Sequence, residues 1–183
     1  MATRRTVLQP LIDYIQQKEQ GEVAVLNFIC THNSRRSHLC QVWAKTMASY
    51  HAMPDVRCYS GGTETTAVYP MIVETLKNTG FEINKIDEQE NPTYKLKFND
   101  KMCPMTLFSK TYDHVLNPKD NFAAIMTCGH ADSNCPIIPN AERIAVTYVD
   151  PKVTDGTPEQ AAVYAERSKQ IATEMKYVFS SIK

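Results

Sequence analysis

The sequence predicts an α/β layer fold built on a parallel sheet, and three observations carry that expectation. Four short apolar runs, at 23–29, 56–59, 122–127 and 143–148, are separated by segments of helical period. The first and third runs are almost unbroken, as in strands covered on both faces. Strands that alternate with helices return by right-handed crossovers and so lie parallel. No internal repeat or low-complexity stretch points to another architecture.

In chain order, residues 5–20 read as an amphipathic helix, with Val7, Leu11, Ile12 and Ile15 on one face and Gly21 as its stop. Val23-Ala-Val-Leu-Asn-Phe-Ile29 is the first strand. From Arg36 the period becomes helical, with Leu39, Val42, Trp43 and Met47 three or four residues apart, as far as Met53-Pro54. Val56-Arg-Cys-Tyr59 is a second strand closed by Ser60-Gly-Gly, and a helix from Val68 to Lys77 ends at Gly80. Between 85 and 120, Pro92, Pro104 and Pro118 break every pattern, so this segment reads as an extended insertion or flap with one strand near Tyr94–Phe98. Phe122–Thr127 and Arg143–Tyr148 are the third and fourth strands. Thr157-Pro158 opens the last helix with a cap and a first-turn proline, and its apolar face holds Ile171, Met175, Val178 and Ile182. Residues 1–183 are expected to form one domain, with 1–21 as a helical extension and 85–120 as an insertion.

Composition narrows the function classes. Apolar residues make up 43%, charged residues 22%, and 20 basic residues balance 20 acidic ones. A neutral chain of this kind argues against broad electrostatic binding to nucleic acid or to an anionic membrane. No apolar run is long enough to span a bilayer. Gln9, Pro10 and Asp13 interrupt the N-terminal region where a signal peptide would be apolar, so a cytoplasmic location is expected. In a reducing compartment the six cysteines, Cys30, Cys40, Cys58, Cys103, Cys128 and Cys135, are core residues, metal ligands or redox groups rather than a disulfide framework. Cys40 and Cys58 fall inside helix and strand patterns, and Cys103 lies in the insertion.

Ligands of parallel sheets bind at the carboxyl ends of strands, beside helix N-termini. Cys30-Thr31-His32-Asn33-Ser34-Arg35-Arg36-Ser37 occupies that place. Successive amides curling into a helix form a donor cage for a tetrahedral oxyanion, and Arg36 adds a fixed fork of donors. The same field favours the thiolate of Cys30, and Ser37 can donate to its sulfur. Asn33 tolerates left-handed backbone angles and can pin the loop. His38 reads as an exposed helix residue, with a place at the border of the pocket as the alternative. Cys128-Gly-His-Ala-Asp-Ser-Asn-Cys135 admits three readings: structural cysteines, a zinc site with His130, or a redox pair.

The segment Cys-Thr-His-Asn-Ser-Arg-Arg-Ser resembles the oxyanion loop of low-molecular-weight protein tyrosine phosphatases and of the thioredoxin-coupled arsenate reductases that share their fold. It differs from the usual reductase loop by His32 for glycine and Arg35 for cysteine, and Arg35 would add charge beside the anion. The resemblance covers roughly 23–80 and 121–180. It implies a four-stranded parallel sheet flanked by helices, of low-molecular-weight phosphatase-like (flavodoxin-like) topology. It also implies that Cys30 is the nucleophile, that the amides of Thr31 to Arg36 hold the oxyanion, and that Asp150 of Val149-Asp150-Pro151 is the general acid. A Cys-x6-Cys segment after the third strand marks the reductases, so Cys128 and Cys135 are expected to form an intramolecular disulfide relay, regenerated by thioredoxin or another dithiol. The substrate implied is arsenate or a phosphate-like oxyanion, and phosphoester hydrolysis through a phosphocysteine is the alternative. Some reductases bind potassium through an asparagine, an acidic residue and a serine. Asn33 and Ser60 match, but Gln41 stands in the acidic place, which leaves potassium open; no metal ligand is assigned and no bound cofactor is expected. Lys152 and Val153 replace the tyrosines that phosphatases carry after Asp-Pro, which leaves Tyr94 or Tyr112 as the rings the insertion could supply.

Overall fold

In the computed structural model, residues 3–18, 21–100, 102–134 and 137–183 are described. The elements in order are Arg4–Gln16 (α1), Ala24–Cys30 (β1), Arg36–Tyr50 (α2), Val56–Gly62 (β2), Pro70–Asn78 (α3), Glu82–Lys85 (β3), Tyr94–Lys97 (β4), Met105–Leu107 (β5), Phe122–Met126 (β6), Gly129–Asn134 (α4), Ala141–Ala145 (β7) and Gln160–Ser180 (α5). A short 3-10 turn at Pro151–Thr154 precedes α5. β2, β1, β6 and β7 pair in that order as a four-stranded sheet, and every pairing is parallel. The chain leaves β1 for β2 on one side and later returns to β6 on the other. The carboxyl end of β1, where Cys30 lies, is therefore the switch point of the topology.

Both faces of the central strands β1 and β6 are buried, which explains their unbroken apolar runs. Along β6, Ala123 and Ile125 enter the larger core, while Phe122, Ala124 and Met126 enter a second cluster with Ile29, Cys30 and Cys128. The alternation is the two-residue period of a strand, with side chains pointing to opposite faces in turn. Among the described residues, no helix is long and apolar enough to cross a membrane.

Three expectations are corrected. The first helix ends at Gln16, not residue 20, and Leu8, Leu11, Ile12, Tyr14 and Ile15 are buried in the main core. Arg4 clamps it there with two bonds to Glu174 of α5, at 2.9 and 2.6 Å, and a third to the Thr147 carbonyl. The second correction is in 85–120, which is not a flap. β3, β4 and β5 form a three-stranded antiparallel sheet of their own, with Ile83, Leu96 and Leu107 turned into the core. Third, Thr157 does not cap the last helix. Its hydroxyl donates to the Thr154 carbonyl within the preceding turn, and α5 begins at Gln160.

Ser60-Gly-Gly does not stop the second strand either, because β2 runs through Gly62. Glycine is needed there for close approach. A Cβ on Gly62 would lie 2.4 Å from the Glu64 carbonyl oxygen, 2.6 Å from that of Thr31 and 2.7 Å from the Asn33 nitrogen. The loop after β1 is thus pressed backbone to backbone against the end of β2.

Candidate active site

The loop after β1 is shaped by where its carbonyls go. The carbonyl of Cys30 accepts from the Thr63 amide, Thr31 from Glu64, Ser34 from Tyr69 and Arg35 from Leu39. The His32 carbonyl accepts from the hydroxyls of Ser109 and Thr66, at 2.9 and 3.3 Å. The Asn33 carbonyl accepts from His38 Nε2 at 2.8 Å. In a planar trans peptide the C=O and the next N–H point in opposite directions. With every carbonyl from Cys30 to Arg35 turned outward, the amides of Thr31 to Arg36 turn inward, toward the space above the Cys30 sulfur. That is a preformed nest for an oxyanion at the start of the 15-residue helix α2.

Asn33 supplies the left-handed residue the loop requires, with φ 44°. Its side chain pins the site from below: Nδ2 donates to Ser37 Oγ at 2.8 Å, and Oδ1 accepts from the Lys110 amide at 2.9 Å. Ser37 Oγ in turn lies 3.1 Å from Cys30 Sγ. Because Ser37 already receives a hydrogen from Asn33, its own hydroxyl proton is free to point at the sulfur.

The two arginines diverge. Arg36 donates to the Tyr148 carbonyl at 3.1 Å and, at 2.5 Å, to Asp150 Oδ2, and its buried Nε has no protein partner. Asp150 also accepts from the Lys152 amide through Oδ1, which fixes the carboxylate at the head of the 3-10 turn. Arg35 turns away from the nest. Its Nε donates to the Tyr164 hydroxyl at 2.7 Å, its other end pairs with Asp155 at 2.6 Å, and the guanidinium lies 3.9 Å from the centre of the Tyr69 ring. The expected charge of Arg35 beside the anion is therefore corrected, since its side chain staples the loop to α5 and to the turn after Asp150. The burial of Tyr164 and its bond to Asp155 push the phenol up, so it serves as a neutral link. His32 sits at the rim, 3.4 Å from Glu64.

Cys128 follows β6, the strand beside β1. The Thr127 amide and hydroxyl both donate to the Ile29 carbonyl, at 2.7 and 2.9 Å, which locks the end of β6 to the residue before Cys30. Cys128 Sγ accepts from the Ala131 amide at 3.3 Å and lies 3.6 Å from the hydroxyl of Thr31, the residue after Cys30. Both sulfurs belong to one apolar cluster, and both thiols are free. The expectation for Cys135 lies outside the described residues. Among the described residues, no group of three metal-binding side chains comes together, and His130 contacts Thr31 through Nδ1. Tyr94 is buried in the main core and offers no ring to the site, while Tyr112 packs against the cluster that holds Cys30.

His38 corrects another expectation. It is buried, with Nε2 bonded to the Asn33 carbonyl and Nδ1 3.3 Å from Ser60 Oγ. The carbonyl can only accept, so Nε2 carries the hydrogen and Nδ1 is an acceptor: the ring is a neutral tautomer. Burial first, and the Lys110 charge second, lower it to about 3. In the unfolded chain it would take a proton near pH 6.5, so the stability it contributes above that value is lost as pH falls from about 6.5 toward about 3. In urea titrations, the wild-type midpoint is expected to fall through this window more steeply than that of His38→Gln; equal slopes would show that His38 is not the group titrated.

The residues matching a potassium site do not fit the ion. Asn33 Oδ1 already accepts from the Lys110 amide, and the side chain of Lys110, a cation itself, lines the same cavity as Gln41. Gln41 brings no charge, and the cavity it lines with Lys110 has no carboxylate in its wall. A hard cation needs several oxygens free of other donors.

A thiol at the carboxyl end of a central parallel strand, beneath inward amides and beside an arginine–aspartate pair, defines the phosphatase-like class of oxyanion-binding proteins. No family model matches the chain. An arsenate reductase of Halalkalibacterium halodurans is 30% identical over 154 residues, which cover 83% of this chain and 92% of that protein. The chain belongs to the arsenate reductase family. Two solved structures share its fold. An arsenate reductase in the phosphate binding state superposes with TM-score 0.55 at 17% identity, over 88% of this chain and all of the other. A low-molecular-weight protein tyrosine phosphatase from T. tengcongensis gives 0.54 at 14% identity, over 86% of this chain and 98% of its own.

Proposed function

We propose that this chain reduces arsenate to arsenite with three of its own thiols and an external dithiol, of which thioredoxin is the expected example. The observation that carries the reading is the second sulfur. Hydrolysis of a phosphoester needs Cys30, the amide nest, Arg36 and an acid, but it gives no work to a thiol at the end of the adjacent strand, held against Thr31.

In the proposed sequence the Cys30 thiolate attacks arsenate in the nest, and Asp150 supplies a proton as water leaves, giving a Cys30–arsenic(V) thioester. Cys128 then attacks the Cys30 sulfur. The S–As bond breaks, its electron pair goes to arsenic, arsenite departs, and Cys30 and Cys128 are joined by a disulfide. Cys135 attacks Cys128 and releases Cys30 as a thiolate, and the external dithiol reduces the Cys128–Cys135 disulfide by two electrons. Arsenic gains two electrons and the dithiol loses two.

The test is arsenate-dependent NADPH oxidation with thioredoxin and thioredoxin reductase. The wild type is expected to turn over, whereas Cys135→Ser gives about one arsenite per chain and stops. No arsenate turnover in the wild type, together with brisk para-nitrophenyl phosphate hydrolysis, would sink the reading and leave a phosphatase.

A further inference from the structure

Lys110 is 5% exposed, and nothing in the fold requires a lysine there. Its backbone carries the structural contacts: the Lys110 carbonyl accepts from the Gly62 amide at 2.9 Å, the Gly62 carbonyl accepts from the Tyr112 amide, and Thr111 bridges Gly62 in parallel. The Lys110 amide, as described, holds Asn33. Any residue could make these bonds. The side chain instead takes an ammonium out of water, and burial pushes it down to about 8. The Phe108 ring lies 5.0 Å from Nζ. A cavity of about 210 Å³ beside it is lined by Gln41, Cys58, Tyr59 and Thr106, with no acidic residue. Gln41 Oε1 is buried without a donor. His38, one turn before Gln41 on α2, feels the lysine charge. Among the described residues, the ionisable groups found around Lys110 are His38, Cys58 and Tyr59, and none of them is a counter-ion.

We infer that the Lys110 ammonium is a built-in cation for the oxyanion loop, a positioning residue whose own amide holds Asn33, whose cavity contains no carboxylate, and which makes a bound potassium ion unnecessary. A buried charge without a partner is unfavourable in the resting fold. It is offset only when a negative charge forms nearby, and the groups that become negative here are the Cys30 sulfur and the oxyanion above it. In a water-poor interior such a field is weakly screened. Gln41 fits the same account, because a carboxylate at that position would cancel the lysine. The inference rests on Cys30 as the reacting thiol and not on arsenate as the substrate.

The experiment follows iodoacetamide alkylation of Cys30, read on its own peptide by mass spectrometry so that Cys103 and the other thiols do not interfere. Wild type and Lys110→Met are compared across pH 5–8, in potassium chloride and in choline chloride at about 0.1 M. Methionine keeps the backbone bonds and the length of the side chain. Lys110→Met is expected to alkylate about fivefold more slowly at neutral pH, with a profile moved to higher pH, and to recover part of that loss in potassium. It should also melt at a higher temperature than the wild type, which packing loss would not produce. The wild type should be indifferent to the choice of cation. An unchanged alkylation profile in Lys110→Met, a lower melting temperature accompanying slower alkylation, or a wild type that needs potassium would each overturn the inference. No turnover assay enters, so failure of the arsenate reading would leave this result standing.

Discussion

Cys128→Ser is expected to form no arsenite while still hydrolysing para-nitrophenyl phosphate. The substitution exchanges one atom and keeps the local contacts, since a hydroxyl can accept from the Ala131 amide and meet the Thr31 hydroxyl as the sulfur does. The amide nest, Ser37, Arg36 and Asp150 are untouched. What is lost is a group able to attack sulfur. The adduct of Cys30 with arsenate then has only water to resolve it, and water returns arsenate with no change in oxidation state. Arsenite release should fall by about three orders of magnitude or more, with phosphoester hydrolysis within about threefold of the wild type. Speciation of arsenic by chromatography measures the first, and para-nitrophenol absorbance the second. Arsenite formation at a wild-type rate would remove Cys128 from the reaction. Equal loss of both activities would make it a structural cysteine that shapes the loop.

Why this sulfur was legible in the sequence, and others of its surroundings were not, has a physical reason. β1 and β6 are central strands, so their apolar runs announce themselves, and the residues just after them, Cys30 and Cys128, must lie side by side at one end of a parallel sheet. Cys-x5-Arg followed by serine announces itself too, because the chemistry fixes residue types as well as spacing. The second sheet has no such signal. β3 and β5 have four and three residues, and β3 buries only Ile83, too short an alternation to separate from coil. α2 packs between α5 and the strands β1 and β2, and Ser37, His38 and Gln41 are buried along with Leu39 and Val42. Hydropathy reads such polar residues as exposed. Only their partners show how they are bonded inside: Asn33 for Ser37 and His38, and the more distant Ser60 and Cys58 for His38 and for the amide nitrogen of Gln41. Arg35 was illegible for a related reason: the loop sequence does not reveal that Tyr69, Asp155 and Tyr164 will converge on it.

The pair between Arg36 and Asp150 leads to an effect in which binding and turnover move in opposite directions. The loop arginine is held at 2.5 Å by the carboxylate that is proposed to act as the acid. In that arrangement neither group is placed for its proposed work, because Arg36 faces Asp150 rather than the nest and the carboxylate is turned to the guanidinium. An arriving oxyanion brings two or more charges to the amides of Thr31 to Arg36 and competes for the guanidinium. In the proposed mechanism its capture of Arg36 frees Asp150 to serve the departing oxygen. The substrate thereby opens the latch that keeps the acid idle. Asp150→Asn removes the competitor while leaving a group that can still accept from the Lys152 amide and preserve the turn. Phosphate, as a stand-in for substrate, should bind this variant about tenfold more tightly, the equivalent of roughly 1.4 kcal/mol for a charge-assisted contact no longer opposed. Turnover should drop by about 10²–10⁴, the usual worth of a general acid. Calorimetric titration with phosphate and steady-state kinetics give the two numbers. Weaker phosphate binding would show that Asp150 orients Arg36 instead of restraining it, and undiminished turnover would place the proton donor elsewhere.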